Sequence, residues 1–97
     1  MSRQLRLTPA AREDLSEIWD YTEETWGVTQ AEKYLGELQS AMERLVDDPD
    51  RGRACDEIRQ GYRRFAIERH LIFYIAHSGS LDVIRVLHQR MDPGLHM

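Results

Sequence analysis

Arginine supplies nearly all the positive charge of this 97-residue chain: 12 of its 13 basic residues are arginine, with Lys33 the only lysine. A planar guanidinium pairs two-pronged with carboxylates and phosphates, so arginines gathered on one surface make an anion site or a dock for an acidic partner. The first candidates are Arg63 and Arg64, in an apolar-flanked segment at 62–67, and Arg85, in the alternating stretch 81–88. His88 lies near Arg90 and Asp92, and an imidazole titrating near neutrality can serve as a general base. Arg64 and Arg85 are therefore candidates for an anion site and His88 for a general base, although a strand-end histidine more often bonds to backbone. None of the four histidines is spaced i, i+4 on a helix, and the single cysteine, Cys55, excludes an internal disulfide and a multi-cysteine zinc site. With Asp56 and Glu57 beside it, Cys55 reads as an inert thiol. There is no GxSxG, HExxH or phosphate-binding glycine run, and neither a metal nor a cofactor is expected.

These side chains must be positioned by a small set of elements. Residues 3–7 alternate polar and apolar, the period of a half-buried strand. Thr8-Pro9 stops that strand and opens a helix over about 9–26, threonine as cap and proline where no amide donor is needed. Its apolar stripe is Ala11, Leu15, Ile18, Trp19 and Trp26, with Glu13, Asp14, Glu17, Asp20 and Glu24 on the opposite, solvated face. Gly27 breaks it. A capping box at Thr29–Glu32 starts a second helix, which carries Ala31, Tyr34, Leu35, Leu38, Met42, Leu45 and Val46 on its stripe and ends at Asp47-Asp48-Pro49. Trp19 and Tyr34 are expected in the core. So short a connection makes the helices an antiparallel hairpin, and both stripes need a sheet to lie on.

From residue 56 the period changes to two. Strands are expected at 57–59, 62–67, 70–77 and 81–88, joined by tight turns at Gly61 and Ser78-Gly79-Ser80, with the tail leaving the sheet at Pro93. The expected fold is a single α+β domain over residues 1–97, β-α-α-β-β-β-β, with the helical hairpin on one face of an antiparallel meander. In the last strand Ile84, Val86 and His88 share one face, and Val83, Arg85 and Leu87 the other. Placing Ile84 and Val86 under the helices leaves an open face of Val83, Arg85 and Leu87 with Leu71, Phe73 and Ile75 (or the opposite parity on that strand) and Arg64 beside them. Tyr62 and Tyr74 are the aromatics expected to reach the sheet surface.

Charge is segregated along the chain. Residues 1–50 carry 5 Lys/Arg against 12 Asp/Glu and residues 51–97 carry 8 against 5, so a half of −7 precedes a half of +3 within a total of −4. No apolar run approaches the roughly 20 residues that span a bilayer, and the first residues lack the apolar stretch of a signal peptide. The expected location is the cytoplasm, with no membrane partner.

Several strings, in order, are similar to one family. Leu7-Thr8-Pro9-Ala10-Ala11-Arg12-Glu13-Asp14-Leu15-Ser16-Glu17-Ile18-Trp19-Asp20-Tyr21 resembles the L-x-P-x-A-x-x-D-L-x-x-I-W-x-Y opening of ParE-type toxins of the RelE/ParE superfamily, the plasmid stabilisation proteins. Ala31-Glu32-Lys33-Tyr34-Leu35 and Leu45-Val46-Asp47-Asp48-Pro49 resemble its second helix, and Tyr62-Arg63-Arg64-Phe65 with Arg69-His70-Leu71-Ile72-Phe73-Tyr74 its strand pair. Ile84-Arg85-Val86-Leu87-His88-Gln89-Arg90-Met91-Asp92 is the most specific piece. The resemblance implies the toxin of a type II toxin–antitoxin pair that inhibits DNA gyrase without being an enzyme. It also implies neutralisation by a ParD-like antitoxin in a hetero-oligomer, a heterotetramer, with DNA reached only through the antitoxin. The alternative is the RelE branch, a ribosome-dependent mRNA endonuclease, for which Arg64, Arg85 and His88 would be the catalytic set. One lysine and an acidic balance are poor for gripping RNA. On this reading Arg64, Leu71, Phe73, Ile75, Val83, Arg85 and Leu87 bind the antitoxin, and Arg90 and Met91 are candidates for the target.

Overall fold

A proline that can only start a helix follows a threonine that can cap one, and the chain obeys both. In the computed structural model, which describes residues 3–97, strand β1 (Gln4–Leu7) passes directly into helix α1 (Pro9–Trp26), with the Thr8 hydroxyl accepting from the Ala11 amide. Helix α2 (Val28–Asp47) follows after a single residue, Gly27, whose φ of 95° and ψ of 168° lie where side-chain-bearing residues rarely go. The hinge is thus a single residue, and Thr29 falls inside α2. Gly27 is the N-cap and makes no side-chain cap bond, so the Thr29–Glu32 capping box does not form.

A 3-10 turn (Pro49–Arg51) leads into β2 (Arg53–Ala54), β3 (Arg63–Ile67), β4 (His70–Ala76) and β5 (Ser80–His88); a final short turn of helix, α3, spans Pro93–His96. The sheet order is β1-β5-β4-β3-β2, antiparallel except for β1, which runs parallel to β5. This is the expected α+β layer, with one shift: residues 57–59 form a turn, in which Asp56 accepts from the Gly61 amide, and the two-residue β2 takes the place of that strand. The sheet also ends at His88, before Pro93.

The core lies between the helices and the sheet, built from Ala11, Ile18, Tyr34, Leu38, Met42, Leu45, Ile72, Tyr74, Leu81, Val83 and Val86. Tyr74 is fully buried there rather than at the surface; its hydroxyl donates to the Pro49 carbonyl at 2.6 Å and accepts from the Gly52 amide at 3.0 Å, pinning the crossing loop to β4. Trp19 is only half-buried, its indole donating to Glu23 one turn on, and Trp26 is 62% exposed. Among the described residues no helix is long and apolar enough to cross a membrane.

A β-bulge changes the parity of β5. Phe73 pairs with Arg85 and Tyr74 with Val83, so Ile84 is the extra residue. Strict alternation would put Val83 and Arg85 together on the uncovered face and Ile84 under the helices. Instead Val83 is buried with the helix-side core, and Ile84 packs with Phe73 and Leu87 on the far face.

Candidate functional site

Where β1 turns away into α1, β5 loses its neighbour and its backbone groups become an unpaired edge. Helix α1 covers them with side chains. The Thr8 hydroxyl donates to the Ile84 carbonyl at 2.7 Å, and Asp14 Oδ2 accepts from the Val86 amide at 2.9 Å. The same carboxylate takes a two-pronged bond from Arg85, Nε to Oδ2 at 2.7 Å and Nη2 to Oδ1 at 2.8 Å. Asp14 is 6% exposed, and its hydrogen bond is the main cause that raises the Arg85 guanidinium above its ordinary value. The remaining Arg85 amino group donates to the His96 carbonyl of the tail. Arg85 therefore stands against α1 and under the tail, not on the open face beside Arg64. Asp14, expected on the solvated face, is the structural anchor of this region. Its spacing carried the signal, because Ala11, Asp14, Ile18 and Thr22 form one i+3, i+4 stripe, and all four are buried.

His88 sits at the strand end. Its Nδ1 accepts from the Arg90 amide at 3.1 Å, and its ring meets His70 edge-on at a centroid distance of 5.4 Å. His70 in turn pairs with Tyr34, whose hydroxyl lies 2.5 Å from His70 Nδ1. Burial first, then the neighbouring His88, lowers His70 to about 4, and burial raises the Tyr34 phenol to about 12. Both shifts favour the neutral pair, with the phenol donating to a neutral imidazole. Between pH 6.5 and about 4 the unfolded chain takes up a proton here that the folded chain refuses. Stability is thus complete above pH 6.5 and falls as pH drops through that window. The half-buried ring is partly screened by water, which holds the loss to about 1 kcal/mol. Urea unfolding at pH 7 and pH 4.5 measures it, and His70→Gln should flatten the difference; an unchanged slope would place the acid sensitivity elsewhere.

Tyr34, His70 and His88 form the floor of a groove of about 970 Å³, walled by α1 through Asp14, Ile18, Tyr21, Thr22 and Trp26 and closed by Arg85, Met91 and His96. Met91 thus lines a concave surface, whereas Arg90 is exposed after the strand.

The opposite sheet face is not bare. The turn 55–62 folds over it, so that Cys55, Tyr62, Phe73 and Leu87 form a second small core with Ile58, Leu71, Ile75 and Ile84 packed around them. Tyr62 is buried there rather than displayed. Burial first, and Glu57 second, raises the Cys55 thiol, which fits an unreactive group. Arg64 pairs with Phe73 across β3–β4 and with Arg53 across β2–β3, so two guanidiniums stand directly opposite at the edge of this face. Like charges so placed repel, and neither has a carboxylate within ion-pair distance among the described residues. Of the seven residues expected on this surface, Arg64, Leu71, Phe73, Ile75 and Leu87 belong to it; Val83 and Arg85 do not. Ile84 belongs to it and was not expected, because a bulge leaves no mark in residue type. Among the described residues no three His, Cys, Asp or Glu side chains gather as a metal site.

Known proteins share this architecture and sequence. A family model described as "ParE toxin of type II toxin-antitoxin system, parDE" matches residues 5–93. A "Toxin ParE1" of Mycobacterium tuberculosis is 55% identical over 93 residues, covering 95% of each chain. A "Toxin ParE1" of Caulobacter vibrioides is 41% identical over 92 residues, again covering 95% of each. A solved structure described as "Chromosomal ParDE TA system from P. aeruginosa" superposes with a TM-score of 0.78 at 18% identity, covering 90% of this chain and 96% of that one, which is a likeness of fold. The chain belongs to the ParE toxin family of type II toxin–antitoxin systems.

Proposed function

We propose that this ParE-family toxin inhibits DNA gyrase by binding it, without catalysis of its own, and is neutralised by a ParD-like antitoxin in a heterotetramer. The observation that carries the non-enzymatic reading is that the three residues a ribonuclease would use do not converge as free groups: Arg85 and His88 line one groove, but each is already engaged, and Arg64 is on the other face. Arg64 lies at the edge of the far sheet face, Arg85 is neutralised by Asp14 beside α1, and His88 Nδ1 is occupied by a backbone amide. Cleavage would need cations and a base converging on one phosphate. The acidic balance of the chain also disfavours RNA binding. Purified toxin added to gyrase and supercoiled plasmid should yield linear DNA, and a translating extract given the same toxin should show intact messages. Cleaved messages with unaffected gyrase would replace this reading with the ribonuclease.

The antitoxin is assigned to the far face. Its apolar band (Leu71, Ile75 and Ile84 at the rim, Phe73 and Leu87 beneath) ends in the facing Arg53–Arg64 pair, which suits an acidic amphipathic segment. Arg64→Glu should weaken antitoxin binding about tenfold or more by calorimetry; unchanged affinity would move the antitoxin off this face.

A further inference from the structure

The groove between α1 and the end of β5 has a chemistry opposite to that of the far face. Tyr21 and Trp26 stand at its wall, 64% and 62% exposed, and Met91 faces them at 43%. Large apolar side chains left this bare along one concavity mark an interaction surface rather than a core. Along the same side of α1, Glu13, Glu17, Asp20 and Glu24 recur at spacings of four, three and four, which makes them one continuous exposed ridge beside Tyr21. None of the four is within ion-pair distance of a base among the described residues. The groove thus offers aromatic anchoring surface whose α1 rim is flanked by unneutralised carboxylates, with Glu68 and Arg69 side by side and the Asp14-paired Arg85 on its sheet side.

We infer that this groove is the surface by which the toxin engages its target, seating an apolar side chain of a protein partner whose neighbouring residues are lysine or arginine. The assignment rests on the target-binding reading above and locates it. Charge decides between the possible occupants. An acidic segment suited to Arg53 and Arg64 would be repelled by the α1 ridge, while a basic, apolar protein surface would be drawn to it. A second copy of this chain docked two-fold symmetrically would bring a ridge of the same sign against it. The two faces therefore sort two partners by charge, acidic on the far face and basic in the groove.

The test is the paired variant Tyr21→Ala/Trp26→Ala, in the full chain. Both side chains are mostly in solvent, so the fold should persist by circular dichroism and urea midpoint. The toxin concentration for half-maximal plasmid linearisation by gyrase should rise about tenfold or more, as expected for losing central aromatic anchors. Antitoxin affinity by calorimetry should stay within about twofold, because those contacts lie on the other face. Asp20→Lys/Glu24→Lys should lower potency too, with a reduced dependence on salt. Undiminished potency would overturn the inference, as would loss of antitoxin affinity, or a wild-type dimer that the paired variant dissociates in sedimentation. Growth arrest on induced expression separates this inference from the choice of target. If the wild type arrests growth yet leaves gyrase untouched, gyrase is wrong; the groove assignment then stands if the paired variant no longer arrests growth and falls if it still does.

Discussion

Asp14→Ala should lower the free energy of unfolding by about 3–4 kcal/mol, the largest single loss available outside the apolar core. The reason is the number of groups that one carboxylate satisfies. It accepts two bonds from Arg85 and one from the Val86 amide, and it is almost wholly buried beside α1. Truncation strands a guanidinium that keeps only part of its surface in water, and it strands a backbone donor on the uncovered stretch of β5. Removing both charges tests the cause. The double variant Asp14→Leu/Arg85→Leu should recover a large part of the loss, since no charge is then left unpaired, while the Val86 amide stays unsatisfied. Urea unfolding of the four members of the cycle measures the coupling. A loss below about 1 kcal/mol for Asp14→Ala would mean that the pair behaves as an ordinary surface bridge.

Gly52→Ala should cost about 3 kcal/mol, for steric rather than conformational reasons. The φ of Gly52, −77°, suits any residue. An added Cβ, however, would lie 2.2 Å from the Tyr74 hydroxyl oxygen and 2.8 Å from two ring carbons. Tyr74 is fully buried and tied by its hydroxyl to Pro49 and Gly52, so neither the ring nor the loop can yield without breaking bonds. Tyr74→Phe alone should cost about 1–2 kcal/mol for the stranded partners. In combination with Gly52→Ala it should cost less than the two single losses added, because the methyl group gains the room the hydroxyl vacates. Strict additivity would show that the crossing loop is free to move away from β4.

How far the candidate surfaces could be read from residues alone differs between them. The arginines and the apolar band 71–75 were legible, since alternation places such residues on strand faces without further information. Two misreadings have local physical causes. Asp14 was assigned to water by its charge, although its spacing from Ala11 and Ile18 put it on the buried stripe; a carboxylate is held inside only where fixed donors meet it, and those donors are 71 and 72 residues away. Arg85 and Val83 follow the open face by strict alternation; one bulged residue, Ile84, turned Val83 to the helix side, and the two-pronged bond to Asp14 drew the Arg85 side chain round the sheet edge to α1. Thr29 illustrates a third case. The capping-box pattern is present, but Gly27 adopts a backbone conformation that lets it cap α2 in place of Thr29, two residues earlier.

Local chemistry therefore determined the order and type of the elements: proline and glycine punctuate the chain, a period of 3.6 separates from a period of two, and charge divides between the halves. These signals act within a few residues and need no distant partner. Which side of the sheet carries an arginine, whether Trp26 is core or rim, and that α1 and β5 enclose a groove were decided by long-range pairing. A bulge, a buried ion pair and a turn folded over the far face each join residues remote in sequence, and their energies exist only once those residues meet.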